Sequence, residues 1–288
     1  MVDQPIFDCH VNIWEERHVT ALYRDQMVRV RKGSVQVNAD AETLYRAMGG
    51  IRRAIIFSLR YFDSAGIDGD DDVTAAAVRT YPDKFVGFAA VDPRRPDYMD
   101  LLRHAIEDLG LCGVKLGPIY NGVPLSDPRL EPVYEYCSRR DLPITMHMGT
   151  TFARNAPVEF GRANYVEPVA LRWPDLKIIL AHMGHPWFDE CIVVVRKQPN
   201  VYCDLSALFY RPWQFYNILI TAEEYRISDK IFFGTDYPFS TVEESISGLR
   251  LVNRLVLGTS LPTVSNETIE QILYSNPFQH WWHKPLYF

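Results

Sequence analysis

Short apolar runs alternate with stretches of helical period along most of the chain. Runs rich in β-branched and aromatic residues predict eight strands, at 6–13, 54–58, 85–90, 113–116, 144–146, 177–181, 201–204 and 231–234. Between them, apolar residues recur at helical spacing, as at Leu101, Leu102, Ala105, Ile106 and Leu109, and further helices are predicted at 164–172, 189–196 and 240–257. Strands that alternate with helices are typical of parallel sheets built from βα units.

The number of these units predicts the fold class. Eight units in 288 residues fit an α/β protein with one (β/α)8 TIM-barrel domain over 1–288, whose functional residues lie at the carboxyl ends of the strands. A doubly wound open sheet is the alternative, but no strand is followed by the glycine-rich phosphate-binding motif of that fold. The segment 15–44 is long for a first βα connection and rich in charge, so we predict an insertion that forms a lid over the barrel mouth.

The acidic loop 68–72 allows two interpretations. Its ligand spacing does not match that of a calcium-binding loop. We therefore interpret it as a solvated helix start, in which Asp71 or Asp72 caps the helix that follows.

Composition and charge exclude several classes of function. Hydrophobic residues make up 47% of the chain and charged residues 23%, which is enough apolar material for a large core. The net charge of -6 disfavours binding to nucleic acid or to an anionic membrane, and no apolar stretch approaches the ~18 residues that span a bilayer. The charge therefore favours a small-molecule ligand. Five scattered cysteines, with no C-x-x-C pair and no secretory signal before them, predict reduced thiols, and these features together predict a soluble, cytoplasmic protein.

The first predicted strand carries polar residues at every second position. Because side chains alternate between the two faces of a strand, Asp8, His10 and Asn12 share one face. Imidazole and carboxylate groups also follow other strands, namely His147, His182 and Asp236. Groups that converge from four distant strands on one end of a barrel predict a site for a divalent metal such as Zn, with one position open for water.

These motifs resemble those of the amidohydrolase superfamily. The resemblance rests on D-x-H-x-N in the first strand, His147 after the fifth, LAHMGHPW at the sixth and FFGTDYPF at the eighth. YPDKFVGFAAVDP at the third strand and GVKLGP at the fourth support it, and the similarity extends over about 6–276. Within the superfamily, the chain is similar to the branch of aminocarboxymuconate semialdehyde decarboxylase, hydroxybenzoate decarboxylases and metal-dependent lactone hydrolases.

The resemblance implies a TIM barrel with one divalent metal ion, usually Zn. It implies that His10, His147 and Asp236 are metal ligands. It further implies that His182 acts as an acid/base or polarising group, and that Asp236 also accepts the proton of the attacking water.

Asn12 departs from the family pattern, which usually has a second histidine at this position. A neutral amide oxygen is a weaker and harder ligand than imidazole, so ligation by Asn12 would weaken Zn binding or favour Mn. Alternatively, Asn12 is an outer hydrogen-bond partner of the ligands, or the barrel has lost its metal.

Residues at or just past the strand ends are candidates for substrate binding: Trp14, Arg60, Lys115, Tyr120, Asn121, His185 and Ser206. Lys115 and Arg60 would each hold a substrate carboxylate. The alternatives are an inward-facing ion pair for Lys115 and a solvated loop position for Arg60. His185 would approach the substrate or cap the next helix, and Trp14 would form a wall of the pocket.

The function that we expect is hydrolysis of a small carboxylate-bearing lactone, ester or amide by metal-activated water. Decarboxylation of a small aromatic or unsaturated acid in the same site is the first alternative, and a metal-free binding protein is the second. Hydrolysis comes first because the chain length is closer to that of the lactone hydrolases, which is an analogy. The aromatic segment 278–288 predicts either a homodimer contact or packing against its own barrel.

Overall fold

Each predicted strand run forms a strand in the computed structural model, which describes residues 4–31 and 38–281. Within these ranges the strands are β1 (Phe7–Asn12), β2 (Arg53–Phe57), β3 (Arg60–Tyr61), β4 (Ile67–Asp68), β5 (Phe85–Val91), β6 (Val114–Leu116), β7 (Ile144–Met146), β8 (Ile178–Leu180), β9 (Val201–Asp204) and β10 (Ile231–Phe232). The short strands β3 and β4 form a separate antiparallel ribbon.

The α-helices of the described residues are α1 (Ala21–Arg31), α2 (Ala41–Ala47), α3 (Phe62–Ala65), α4 (Asp71–Thr80), α5 (Tyr98–Arg103), α6 (Pro118–Asn121), α7 (Glu131–Arg139), α8 (Glu167–Arg172), α9 (Phe188–Lys197), α10 (Pro212–Glu224), α11 (Val242–Arg250), α12 (Asn266–Leu273) and α13 (Pro277–Trp281). No helix in the described part of the chain is long and apolar enough to cross a membrane.

The other eight strands form one parallel sheet in the order β1-β2-β5-β6-β7-β8-β9-β10. The sheet closes where β1 meets the segment that follows β10. Backbone amides donate there from Cys9 to Phe233 O at 3.0 Å, and from Asn12 to Tyr237 O at 2.9 Å. The sheet is thus a (β/α)8 barrel, as predicted, and its seam brings the first and last site motifs together.

The strands are short and apolar because both of their faces are covered. All seven residues of β5 and all three of β8 are buried, between the barrel interior and the surrounding helices. Such continuous apolar runs are typical of parallel sheets with helices outside. Polar side chains therefore enter the barrel chiefly at strand ends, where they can reach a cavity.

The acidic loop starts a helix, as predicted, but the capping residue differs. Asp70 caps α4 by accepting a hydrogen bond from Val73 N at 2.9 Å. Asp71 is instead 4% exposed, and it accepts hydrogen bonds from Ala90 N at 2.8 Å and from Arg60 at 3.0 Å. Asp71 thus ties the start of α4 to β5 and β3, a tertiary role that local spacing does not reveal.

The predicted insertion contains α1 and the start of α2, and residues 32–37 lie outside the described ranges. Tyr23 of α1 is buried, with its ring 5.9 Å from those of Trp14 and Phe152. A lid function for this insertion stays a prediction. At the other end of the chain, Phe278 packs against Phe7, at 5.6 Å between ring centroids, so this part of the aromatic segment folds onto its own barrel. Residues 282–288 lie outside the described ranges, and the homodimer stays a prediction.

Gly149 fixes the loop after β7 against the loop after β8. Its φ is +91°, and a Cβ at this position would lie 2.0 Å from His185 O. The neighbouring Thr150 N donates to the same carbonyl at 2.7 Å. Because His147 precedes one loop and His182 precedes the other, this close backbone contact sets the distance between the two histidines.

We expect Gly149→Ala to lower the unfolding free energy by about 3 kcal/mol, from left-handed strain and from the clash with His185 O. Gly110→Ala is the matched control, because Gly110 has a φ of +75° and no atom within 4 Å of the place that a Cβ would take. Gly110→Ala should lower the unfolding free energy by only about 1 kcal/mol. Urea denaturation of both variants measures the difference, and equal losses would contradict the close contact.

Candidate metal centre

The carboxyl ends of the barrel strands surround a cavity of about 610 Å³. Its polar lining includes His10, Asn12, Lys115, His147, His182 and Asp236. Aromatic side chains, among them Tyr61, Tyr120, Phe152 and Phe239, form much of the remaining wall. A largely apolar cavity with a few convergent polar groups is typical of a small-molecule site.

Asp204, at the end of β9, orients His10. His10 Nδ1 lies 2.9 Å from Asp204 Oδ2. Burial alone would raise the pKa of Asp204, but the neighbouring His10 and His182 and the hydrogen bonds of His10 and Ser206 lower it well below its ordinary value. An ionised carboxylate only accepts, so His10 Nδ1 carries the proton and Nε2 presents its lone pair to the cavity.

Asp204 and Ser206 orient His182 in the same way. Asp204 Oδ1 accepts hydrogen bonds from His182 N at 3.0 Å and from the hydroxyl of Ser206. His182 Nδ1 lies 3.1 Å from Ser206 O and 2.7 Å from Ser206 Oγ. Because the carbonyl oxygen only accepts, Nδ1 carries the proton and Nε2 presents a lone pair.

His147 presents its other nitrogen. His147 Nε2 lies 3.1 Å from Thr150 O, so this nitrogen donates and Nδ1 keeps the lone pair. That Nδ1 lies 3.2 Å from His182 Nε2. Two lone pairs that face each other at this distance repel, and a cation between or beside them would remove the repulsion.

Asp236 completes the arrangement. The His10, His182 and Asp236 ligand atoms lie within 4.8 Å of one another, and all three residues are buried. Asp236 has a φ of 62°, and its amide donates to His10 O across the barrel seam at 2.9 Å. We call His10, His147, His182 and Asp236 the donor cluster.

Asn12 turns its amide nitrogen toward the donor cluster. Its Nδ2 lies 3.0 Å from Tyr237 O and 2.9 Å from Asp236 Oδ1. The carbonyl of Tyr237 only accepts, which identifies the NH2 end of the amide. In this arrangement Asn12 holds the Asp236 carboxylate by a hydrogen bond and directs a donor, not a ligand oxygen, at it.

The donor cluster fits a divalent metal. Each histidine directs its N–H at an oxygen, and this outer support is what orients imidazole ligands in metal sites. Burial and then the charge of Lys115 lower the pKa of His10 to about 4 and that of His147 to about 3, so both are neutral near pH 7. Neutral imidazoles and a carboxylate are the donors that catalytic Zn sites use.

Lys115 lies beside the donor cluster. Its Nζ is 3.2 Å from His10 Nε2 and 4.4 Å from the centre of the Phe57 ring. Lys115 is 2% exposed, and burial lowers its pKa to about 8. Among the described residues no carboxylate lies within 4.0 Å of Nζ, although the charges of Asp204 and Asp236 act on it from farther away. Its contact with a substrate carboxylate stays a prediction.

Other candidates divide into two groups. Tyr120 and His185 line the cavity, and their contact with a substrate stays a prediction. Arg60, Trp14 and Asn121 do not. Arg60 is neither a cavity residue nor solvated, since its guanidinium pairs with the buried Asp71.

Trp14 and Asn121 lie behind the cavity wall. Trp14 is fully buried, and its ring is 6.1 Å from that of the wall residue Phe239. Asn121 donates to Arg60 O at 3.1 Å. Both side chains therefore support the residues around the cavity and do not line it themselves.

The sequence patterns missed several residues of the site. Asp204 ends a predicted strand and could have been found by the rule that singled out Asp236. Tyr61 follows Arg60 in the sequence, and only Tyr61 lines the cavity. Which of the two side chains does so depends on the β3–β4 ribbon. Arg211 and Phe152 lie in loops without a periodic signal.

The fold and the donor cluster define a TIM-barrel enzyme of the metal-dependent type. The amidohydrolase family model matches residues 7–279. The chain therefore belongs to the amidohydrolase family, which confirms the resemblance seen in the motifs.

Two decarboxylases are similar in sequence. The chain is 31% identical over 199 residues to 2-amino-3-carboxymuconate-6-semialdehyde decarboxylase from Dictyostelium discoideum, which covers 59% of this chain and 55% of that protein. It is 25% identical over 218 residues to gamma-resorcylate decarboxylase from Polaromonas sp. (strain JS666 / ATCC BAA-500), which covers 61% of this chain and 66% of that protein. The chain thus spans between about half and two thirds of the length of these curated relatives.

Solved structures share the fold over nearly the whole chain. An uncharacterised TIM-barrel protein from Bordetella bronchiseptica has a TM-score of 0.72 at 22% identity, over 96% of this chain and 97% of its own. A probable 2-pyrone-4,6-dicarboxylic acid hydrolase from Acinetobacter baumannii has a TM-score of 0.66 at 15% identity, over 95% and 98%. A dihydroxybenzoic acid decarboxylase from Polaromonas sp. JS666, with bound manganese and the inhibitor 2-nitroresorcinol, has a TM-score of 0.62 at 19% identity, over 97% of each chain.

We expect Asn12→Asp to destabilise the metal-free protein more at about pH 8 than at about pH 5. The new carboxylate would face Asp236 and the Tyr237 carbonyl, so its pKa in the folded state would be raised. The penalty therefore grows as the pH rises above the unfolded value of about 3.9. Urea denaturation in the presence of a chelator measures it.

Asn12→Ala is the control for this prediction. It removes the same two hydrogen bonds without adding a charge. It should therefore lower the unfolding free energy by about 1–3 kcal/mol, nearly independently of pH. The same pH dependence in both variants would contradict the contact between Asn12 and Asp236.

Proposed function

We propose that this chain is a metal-dependent decarboxylase of small aromatic or unsaturated carboxylic acids. The observation that carries the proposal is the position of the donor cluster and Lys115 at the polar end of a cavity with aromatic walls. Both decarboxylases to which the chain is similar in sequence support the proposal. This choice reverses the order of the two reactions that was expected from chain length.

The donor cluster would hold one divalent ion. Three imidazoles and one carboxylate favour Zn over Mn, since Mn prefers oxygen ligands. When bound, such an ion acts as a Lewis acid that polarises oxygen atoms of the substrate. Asn12 would keep the Asp236 carboxylate in place by the hydrogen bond described above.

Lys115 would bind and orient the acidic group of the substrate. Its ammonium group is buried, points at the donor cluster and has no carboxylate at ion-pair distance among the described residues. A carboxylate or phenolate oxygen of the substrate would bring a negative charge into direct contact with Nζ. The reacting carbon would then lie close to Asp236.

Asp236 would supply the proton. Asp236 would take up a proton from solvent when the substrate binds. The substrate carbon that bears the carboxylate takes this proton from Asp236, a C–H bond forms, and Asp236 returns to the carboxylate form. The bond to the carboxylate then breaks, its electron pair returns to the ring or double bond, and CO2 leaves. Proton transfer by a positioned carboxyl group is general acid catalysis.

The cavity wall suits a flat, weakly polar substrate. Tyr61 and Tyr120 stack at 4.2 Å with an angle of 10°, and both are buried. A ring can pack against such a surface. An apolar wall also disfavours a carboxylate relative to neutral CO2, because a charge is costly away from water.

Hydrolysis of a lactone is the second candidate. It is favoured by the fold similarity to a probable 2-pyrone-4,6-dicarboxylic acid hydrolase, and the same Asp236 could accept the proton of an attacking water. The metal-free binding protein is less well supported, since ligand atoms of His10, His182 and Asp236 lie within 4.8 Å of one another.

We expect the Zn-loaded protein to release CO2 from hydroxybenzoates that carry a ¹³C-labelled carboxyl group. In D2O, one deuterium should appear on the carbon that loses CO2. His147→Ala should reduce the rate by at least about 100-fold, since it removes one donor of the cluster. Labelled CO2 and the deuterium content of the product are measured by mass spectrometry.

His104→Ala is the matched control, because His104 is an exposed histidine paired with Asp108. It should leave the rate unchanged. Ring opening of lactones without any CO2 release from the acids would contradict the decarboxylase and support the hydrolase.

We expect about one equivalent of metal per chain by elemental analysis, and Asp204→Asn should weaken its affinity by about 10–100-fold. The amide cannot accept the hydrogen bonds of both His10 and His182 as a carboxylate does. Asp127→Asn, at an exposed ion pair with Arg129, is the control. Equal metal affinity in both variants would contradict the role of Asp204.

A further inference from the structure

The cavity has a second polar region, formed by His185 and Arg211. Both residues line the cavity, and neither belongs to the donor cluster. His185 follows β8 and Arg211 follows the neighbouring strand β9, so both belong to adjacent loops at the cavity. Burial and then the positive charge of Arg211 lower the pKa of His185 to about 4, so His185 is neutral near pH 7. The cavity thus carries a guanidinium and a neutral imidazole in addition to the donor cluster.

Arg211 has no carboxylate partner among the described residues. Its Nη1 donates to Ala207 O at 2.7 Å, and its guanidinium lies 4.4 Å from the centre of the Tyr210 ring. In the described ranges no carboxylate lies within 4.0 Å of it, whereas Arg60 and Arg94 are each paired with an aspartate. The backbone of Arg211 is also fixed, since its N–H donates to Leu208 O at 2.9 Å.

His185 adds a buried polar atom that no described residue satisfies. His185 is 7% exposed, and its Nδ1 makes no hydrogen bond to any described residue. Its backbone is held at both ends, by donation to His182 O at 2.9 Å and by acceptance from Thr150 N at 2.7 Å. A buried polar atom without a partner is costly, so a fixed one beside a cavity indicates that a ligand supplies the partner.

We propose that Arg211 and His185 bind a second carboxylate of the substrate, and that the natural substrate of this chain is therefore a dicarboxylic acid. Arg211 would bind this carboxylate through its guanidinium, and His185 would donate to it from Nδ1. The reacting carboxylate would lie at the donor cluster and Lys115. The inference rests on the proposed function for the identity of the reacting group, but the second site does not depend on the chemical step.

The charges of the cavity agree with two anionic groups. Among the described lining residues, Lys115 and Arg211 are the cationic side chains and Asp236 is the acidic one. The two cations come from different elements, β6 and the loop before α10. The rest of the wall is largely aromatic or aliphatic, which suits the carbon frame that joins two carboxylates.

Isothermal titration with isophthalate and benzoate tests the site, because these unreactive probes differ by one carboxylate. We expect the Zn-loaded protein to bind isophthalate at least about tenfold more tightly than benzoate. Arg211→Met should remove this preference and leave benzoate binding within about twofold. Arg211→Lys should restore part of it, since the charge returns without the planar fork.

Arg196→Met is the matched control, because Arg196 is exposed on α9 and its guanidinium lies 5.2 Å from the Tyr225 ring. It should change the binding of neither probe. His185→Phe keeps a flat aromatic ring, slightly larger than imidazole, but removes both nitrogens, and it should weaken isophthalate binding alone.

The outcomes separate this inference from the proposed function. A preference for isophthalate that depends on Arg211, without CO2 release from any acid, would support the second site and overturn the decarboxylase. Equal binding of the two probes by the wild-type protein would overturn the second site. If Arg211→Met bound neither isophthalate nor benzoate and kept the wild-type melting temperature, the second site would also be overturned. That result would assign Arg211 to the first carboxylate.

Discussion

The buried carboxylate of Asp204 is the interaction on which the site depends. One of its oxygens holds the ring of His10, and the other holds the backbone of His182 and the hydroxyl of Ser206. Two imidazole rings from distant parts of the sequence are thereby fixed with their lone pairs toward the cavity. Thr150 O does the same for His147. The orientation of the histidines therefore depends on residues that do not line the cavity themselves or that act through their backbone.

The electrostatic design follows from this arrangement. Each of these closely spaced histidines keeps one proton, on the ring nitrogen that faces away from the cavity. Burial lowers their pKa values and so keeps the rings neutral. Ligand atoms of His10 and His182 then lie within 4.8 Å of an Asp236 oxygen, and His147 Nδ1 lies 3.2 Å from His182 Nε2. A positive charge beside these lone pairs relieves their repulsion, and Lys115 already provides part of it at His10 Nε2.

The sequence predicts which residues lie at the carboxyl ends of the strands. It does not predict the directions in which the side chains at and after these ends point. The position of His10, His147, His182 and Asp236 follows from the rule that parallel strands place their carboxyl ends together. The direction of the Asn12 amide depends on Tyr237 O, 225 positions away, which no local pattern contains. Likewise, Tyr61 lines the cavity where Arg60 was predicted to do so. This depends on the β3–β4 ribbon, whose strands of two residues each are too short to give a periodic signal.

Closure of the barrel and completion of the donor cluster are one event. Asn12 and Asp236 are 224 positions apart and meet only when the first strand pairs with the segment after the last one. During synthesis, almost the entire chain must therefore leave the ribosome before a cation can be bound with full affinity. A chain made only as far as β10 carries the three histidines of the cluster but lacks its carboxylate, so the last ligand and the last strand contact arrive together.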